Sequence, residues 1–133
     1  MRSRAAVVAL LSLVVLAGCG GKSDGQLVRD KIHQFATAMG ARDYQALCDQ
    51  VFAPVLVSRL GALGLPCEEQ LRQSLAPVRK PTVRIKRVVL KGKTATANVV
   101  SGAQGQPPSA DVIGLVKTKA GWRISSRSTP AAG

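Results

Sequence analysis

Between Pro77 and Pro81 the hydrophobic period of this chain changes, and that change constrains the fold more than any other feature of the sequence. Before it, apolar residues recur every three or four positions: Val28, Ile32, Phe35 and Met39; then Tyr44, Leu47, Cys48, Val51 and Phe52; then Leu56, Leu60 and Leu63; then Cys67, Leu71, Leu75 and Val78. That is helical spacing. After it, Thr82 to Leu90 is rich in valine and isoleucine, Lys91-Gly92 signals a turn, and Lys93 to Ser101 reads as a returning strand. A loop from Gly102 to Pro108 leads to a third strand from about Ala110 to Thr118, and Lys119-Ala120-Gly121 turns it back through Trp122, Ile124 and Ser126. Helices first and a strand meander second predict an α+β fold, with N-terminal helices packed on one face of a curved antiparallel sheet.

Local signals place the element ends. Ser23 and Gln26 have capping-box spacing, so the first helix starts there, and Gly40 is a candidate stop. Asp43 caps a second helix from Tyr44, and Pro54 ends it or opens the next. Pro66 suits a first-turn position, with Glu68 and Glu69 at the positive end of the helix dipole behind it.

Upstream of the fold, Arg2 and Arg4 precede an apolar run from Ala5 to Leu16, which ends in Leu16-Ala17-Gly18-Cys19. The run is shorter than the roughly 20 residues a spanning helix needs, and its order of parts is that of a secretory signal. The four closing residues resemble a bacterial lipobox. The resemblance implies residues 1–18 as a lipoprotein signal peptide, Cys19 as the lipidated first residue of the mature chain, carrying diacylglyceryl and acyl chains such as palmitate, and residues 19–25 as a tether. It places the protein on the extracytoplasmic side of a bacterial membrane, held in the cell envelope by its lipid anchor. An ordinary cleaved signal with a chance cysteine is the competing reading.

The full chain has a formal charge of +12. From Arg79 onward there are eleven basic residues and one acid, Asp111, whereas residues 19–78 balance six against six. Such asymmetry predicts an electropositive face or end. Three cysteines less one lipidated residue leave Cys48 and Cys67, each on the apolar stripe of its own helix, in an exported compartment that favours oxidation. They are expected to form a disulfide; two free buried thiols are the alternative. No clustered histidines and cysteines suggest a metal, and no motif calls for a cofactor.

The first-helix stripe, the segment Ala41-Arg42-Asp43-Tyr44-Gln45-Ala46-Leu47-Cys48 and the closing Lys119-Ala120-Gly121-Trp122-Arg123-Ile124 hairpin together resemble the nuclear transport factor 2-like (cystatin-like) superfamily over residues 26–128, leaving 129–133 as a tail. That superfamily includes ketosteroid isomerases, scytalone dehydratase and many noncatalytic exported domains. The resemblance implies a cone between helices and sheet, for which Tyr44, Asp111 and Trp122 are the candidate ligand-binding residues. Asp111 shares strand parity with Ile113 and Leu115, yet with nothing in the sequence to pair with it a solvated strand-start position is expected. His33, the single histidine, falls off the apolar stripe and is expected at the surface.

No nucleophile elbow, phosphate loop or zinc helix is present, so the expected function is a lipid-anchored binding or assembly module without catalysis. The alternative is an isomerase- or dehydratase-like enzyme using the cone. In an up-and-down meander, Lys91, Lys93, Lys117, Lys119 and Arg123 fall at one end of the sheet, where they could engage an anionic envelope surface or simply be solvated. With one Trp, one Tyr and two Phe the chain lacks the stacking platforms of a nucleic-acid binder. Strand three, Val112-Ile113-Gly114-Leu115-Val116, is apolar at both parities, which predicts a cover on its outer face; the resemblance implies the sheet of a second copy in a homodimer, and the competing cover is the short C-terminal tail, Ser128 to Gly133, folding back.

Overall fold

The computed structural model describes residues 20–130, so Cys19, the apolar run before it and the last three residues of the expected tail lie outside the described chain. Helix α1 (Asp24–Ala41) starts where the capping box places it: the Gln26 amide donates to Ser23 Oγ at 3.3 Å and the Ser23 amide to Gln26 Oε1 at 3.1 Å. It buries Val28, Ile32, Phe35 and Ala38. Gly40 does not stop it. The chain turns instead at Arg42, which takes a left-handed φ of 57° while the Asp43 amide bonds back to the Ala38 carbonyl at 2.9 Å.

Asp43 then caps α2 (Tyr44–Ala46), accepting from the Ala46 amide at 2.9 Å. The expected regular second helix lasts less than a turn. It widens into a π-helical turn, Leu47–Val51, closed by the Phe52 amide on the Leu47 carbonyl at 2.9 Å. Adding a residue to the turn keeps Leu47, Cys48 and Val51 all buried and releases Phe52 to bridge Ile124 in the sheet. Pro54 opens α3 (Pro54–Gly61) rather than merely ending α2. Pro66 caps α4 (Cys67–Leu75), one position earlier than a first-turn proline. Cys48 and Cys67 are disulfide-bonded, with Cα atoms 6.2 Å apart, so the bridge ties the π turn to the first residue of α4.

The sheet is an antiparallel meander in the order β1 (Thr82–Lys91), β2 (Thr94–Ala103), β3 (Gln106–Thr118) and β4 (Gly121–Ser128). The expected loop from Gly102 to Pro108 is only a tight turn at Gln104 and Gly105, and β3 begins before Pro107 and Pro108. Prolines are tolerated there because β4 pairs with β3 only from Val112 onward, which leaves the start of β3 as a local edge. Three register shifts bend the sheet: Lys86 is the extra residue in β1, Ser125 is the extra residue in β4, and Pro107 and Pro108 of β3 together stand against Gly102 of β2. Opposite the second bulge a β-carbon at Gly114 would meet the Ser126 hydroxyl, so any larger residue there would have to turn that hydroxyl aside.

The helices cover one face of this sheet. Ala95, Ala97, Val99, Ile113, Leu115, Trp122 and Ile124 meet Val28, Ile32, Phe35, Leu47, Val51 and Leu71 in a single core. Among the described residues every buried core residue lies between Val28 and Ile124, so a chain starting at Gly20 contains this core. On the outer face Val112 and Val116 are half-buried, flanking Gly114, with exposed Thr94, Thr96 and Asn98 beside them on β2.

Candidate functional site

The expected solvated position for Asp111 is wrong: its residue exposure is 3%, and it pairs with buried Val99 on the core face of the sheet. It accepts hydrogen bonds from Ser101 Oγ at 2.5 Å, Ser109 Oγ at 3.2 Å, Thr129 Oγ1 at 3.3 Å and Arg127 Nη2 at 2.6 Å, the last a salt bridge. The partner was hidden by the β4 bulge. Without it, Trp122, Ile124 and Ser126 would share the inner face and Arg127 would point out. The extra Ser125 reverses the parity, so Arg127 pairs with Ile113 and turns inward beside Asp111. Burial alone would raise the Asp111 pKa, but the hydrogen bonds from Ser101 and Arg127, the Arg127 charge and the Ser109 hydroxyl outweigh it and hold the carboxyl below the ordinary aspartate value.

Arg127 stands at a cavity between the helices and the sheet. The larger part, about 210 Å³, is lined by Phe35, Met39, Leu47, Phe52, Leu56, Leu71, Leu75, Ile113 and Ile124, with Arg127 as its one charged side chain. A second part of about 140 Å³ shares Phe35, Met39, Leu75 and Arg127, and adds Val78, Pro81, Ser101, Gly102, Gln106 and Ser109. Asp111 itself lines neither; it sits behind Arg127, Ser101 and Ser109 and holds them in place.

The other candidate residues lie elsewhere. Tyr44 is buried with the Arg72 guanidinium 5.7 Å from its ring centre, and it is not among the partners of Asp111 or the cavity lining. Trp122 is buried, and its indole donates to Asp24 Oδ1 at 2.9 Å, pinning the start of α1 to the sheet. Lys117 holds the same carboxylate at 2.8 Å. The hydrogen bonds from Lys117 and then Trp122 lower the Asp24 pKa against the opposing effect of burial, and the Lys117 charge adds to them.

The turns carrying Lys93 and Lys119 fall at one end of the sheet, with the Lys117 amide on the Lys93 carbonyl at 2.8 Å. Of the five basic residues there, Lys117 is paired and Arg123 donates to the Asp49 carbonyl at 2.9 Å, which leaves Lys91, Lys93 and Lys119 exposed. His33 is exposed. Among the described residues no group of His, Cys, Asp and Glu could hold a metal ion, and no helix is long and apolar enough to cross a membrane.

No protein-family model and no curated protein matches the sequence. Solved structures do match in shape. An NTF2-like protein of unknown function from Shewanella baltica superposes with a TM-score of 0.58 at 12% identity, covering 84% of this chain and 100% of its own. A second, from Silicibacter pomeroyi, gives 0.55 at 16% identity over 77% and 90%. The fold is NTF2-like. A phospholipid-binding protein from Ralstonia solanacearum, solved with a phospholipid, superposes with a TM-score of 0.51 at 12% identity over 84% of this chain and 80% of that one. At these identities the likeness is one of NTF2-like architecture, and the side chains at the cavity are this chain's own.

Proposed function

We propose that the protein is a noncatalytic binding module, tethered by lipid on Cys19 to the extracytoplasmic face of a bacterial membrane, whose cone takes a small apolar molecule bearing one hydrogen-bond acceptor. The observation that carries this reading is the cavity wall, which is hydrocarbon in its larger part except for Arg127, whose guanidinium keeps free N–H donors, while Ser101 and Ser109 in the smaller part spend their hydroxyl protons on Asp111. Arg127 has five N–H donors and spends one on Asp111, so donors remain for a ligand carboxylate or ester.

Size sets the ligand class. An apolar cavity of about 150 Å³ accepts a benzene ring, so 210 Å³ suits a single short acyl chain or a ring rather than a whole phospholipid. That the Ralstonia protein, of similar fold, was solved with a phospholipid supports a lipid-derived ligand for this chain. The enzymatic alternative fits less well. A general base works best with a pKa near the operating pH, whereas Asp111 is held low, is already hydrogen-bonded and does not line the cavity.

The test is a titration of the domain from Gly20 onward with saturated fatty acids of increasing length, read by the methyl NMR signals of Met39 and Leu75. Saturable shifts at one optimal short length are expected, and Arg127→Leu should weaken binding about tenfold, the worth of one charged hydrogen bond. Absence of saturation at every length, or a Leu75→Trp variant that binds as well as wild type, rejects the reading.

A further inference from the structure

We propose that the free edge of β1 is a docking surface for anionic phospholipid headgroups, so that the molecule lies along the membrane on this edge rather than standing on the lysines at the end of its sheet. The strand is the outermost of the meander and so has one unpaired side. Arg79 and Lys80 lead into it, Arg84, Lys86, Arg87 and Lys91 lie on it, and Lys93 follows in the turn; all seven are exposed. The bulge at Lys86 contributes to this. It breaks the alternation so that Lys86 and Arg87, although consecutive, both stay off the core face.

Among the described residues none of the seven side chains forms an ion pair or donates a hydrogen bond, whereas Lys22, Arg72, Lys117 and Arg127 each have a carboxylate partner. A lysine or two on an edge strand is enough to block edge-to-edge pairing. Here the unpaired cations continue along a strand about 33 Å long, far beyond that need.

Two further observations select a lipid surface over a soluble polyanion. Val89 and Leu90, 41% and 45% exposed, flank this edge on its outer and core-side faces next to Lys91, and apolar side chains beside cations suit the headgroup boundary but add nothing against a dissolved anion. Leu90 also touches the start of α1, where a β-carbon on Gly25 would lie 3.9 Å from its Cδ1. The segment before Ser23 therefore enters the fold at the end of the cationic edge. The inference rests on the tethered reading above only for bringing a bilayer within reach, and the test omits the anchor.

The domain from Gly20 onward, which holds the core described above, is floated with vesicles of phosphatidylglycerol and phosphatidylcholine in equal parts and with phosphatidylcholine alone, its fold checked by circular dichroism. Binding is expected to the first only, and to vanish at high salt. The triple variant Arg84→Glu, Lys86→Glu, Arg87→Glu should bind at least about tenfold more weakly, and the charge-matched Arg29→Glu, Arg59→Glu, Lys119→Glu should stay within about twofold of wild type. Leu90→Ser should weaken vesicle binding about threefold and leave polyphosphate binding unchanged. Failure to float with phosphatidylglycerol, equal losses in both triple variants, or no effect of Leu90→Ser on vesicles overturns the proposal. Lipid found on Cys19 together with any of those results leaves the tether standing and removes only the docking edge.

Discussion

A carboxylate that accepts from three hydroxyls and a guanidinium is fully occupied, and its ionised form is part of the folded structure. Because Asp111 is held below the ordinary aspartate value of 3.8, its contribution is complete above that value and is lost as pH falls through the depressed one. Thermal stability should therefore decline below about pH 4, and the decline should be shallower in Asp111→Asn. At neutral pH that variant should cost about 1.5–3 kcal/mol by urea unfolding, the range for a hydrogen bond to a charged group, since Arg127 stays half-solvated and is not stranded. Strand parity made the inward direction of Asp111 legible in the sequence, but not its partner, since a bulge leaves no mark in the hydrophobic pattern when the residues around it, Ser125 and Ser126, are both small and polar. Trp122 was misplaced for a different reason. A sequence shows that an indole is on the inner face without showing which end of the sheet it closes, and here Asp24, 98 residues away, captures it.

Helical and strand periods were legible because each buried face repeats the same geometric requirement several times over, while element ends depend on single local contacts. Ser23 and Asp43 marked their helix starts correctly since a short polar side chain and the amide it caps are near neighbours in sequence. Gly40 misled because Arg42 accepted the left-handed turn, with its guanidinium on the Val78 carbonyl at 3.3 Å. The π turn was invisible for a related reason: one extra residue per turn preserves the apolar character of Leu47, Cys48 and Val51 and changes only the hydrogen-bond register. The disulfide holds this irregular turn against α4 and closes a sequence separation of 19 residues. Replacing both cysteines by serine should cost roughly 3 kcal/mol in urea unfolding, by the entropy of a loop of that size. An unchanged midpoint would mean that core packing alone sets the turn.

Two properties of the whole molecule are set outside the described residues or outside one chain. Intact-mass analysis of the protein from its own membrane should show the signal removed and lipid on Cys19, and Cys19→Ser should leave the membrane fraction; retention with unchanged mass would remove the anchor. The outer face of the sheet, with half-buried Val112 and Val116, keeps the expectation of a two-fold pair. Sedimentation of the domain at high micromolar concentration should give a dimer that Val116→Lys dissociates, and a monomer in both cases would reject it. The fold class and the helical and strand stripes were legible in the sequence, whereas the residues that line the cone were not, since its wall draws on α1, the π turn, α3, α4 and two strands at once. The carboxylate of Asp24 has a last consequence, mechanical in kind. A pull on the proposed tether meets Lys22 on Asp30 and the Ser23 cap, both within α1, and then Asp24, which Trp122 and Lys117 clamp from β4 and β3. A pull through such a tether would load β3 and β4 together with the first turn of α1, instead of peeling α1 away one turn at a time from its start.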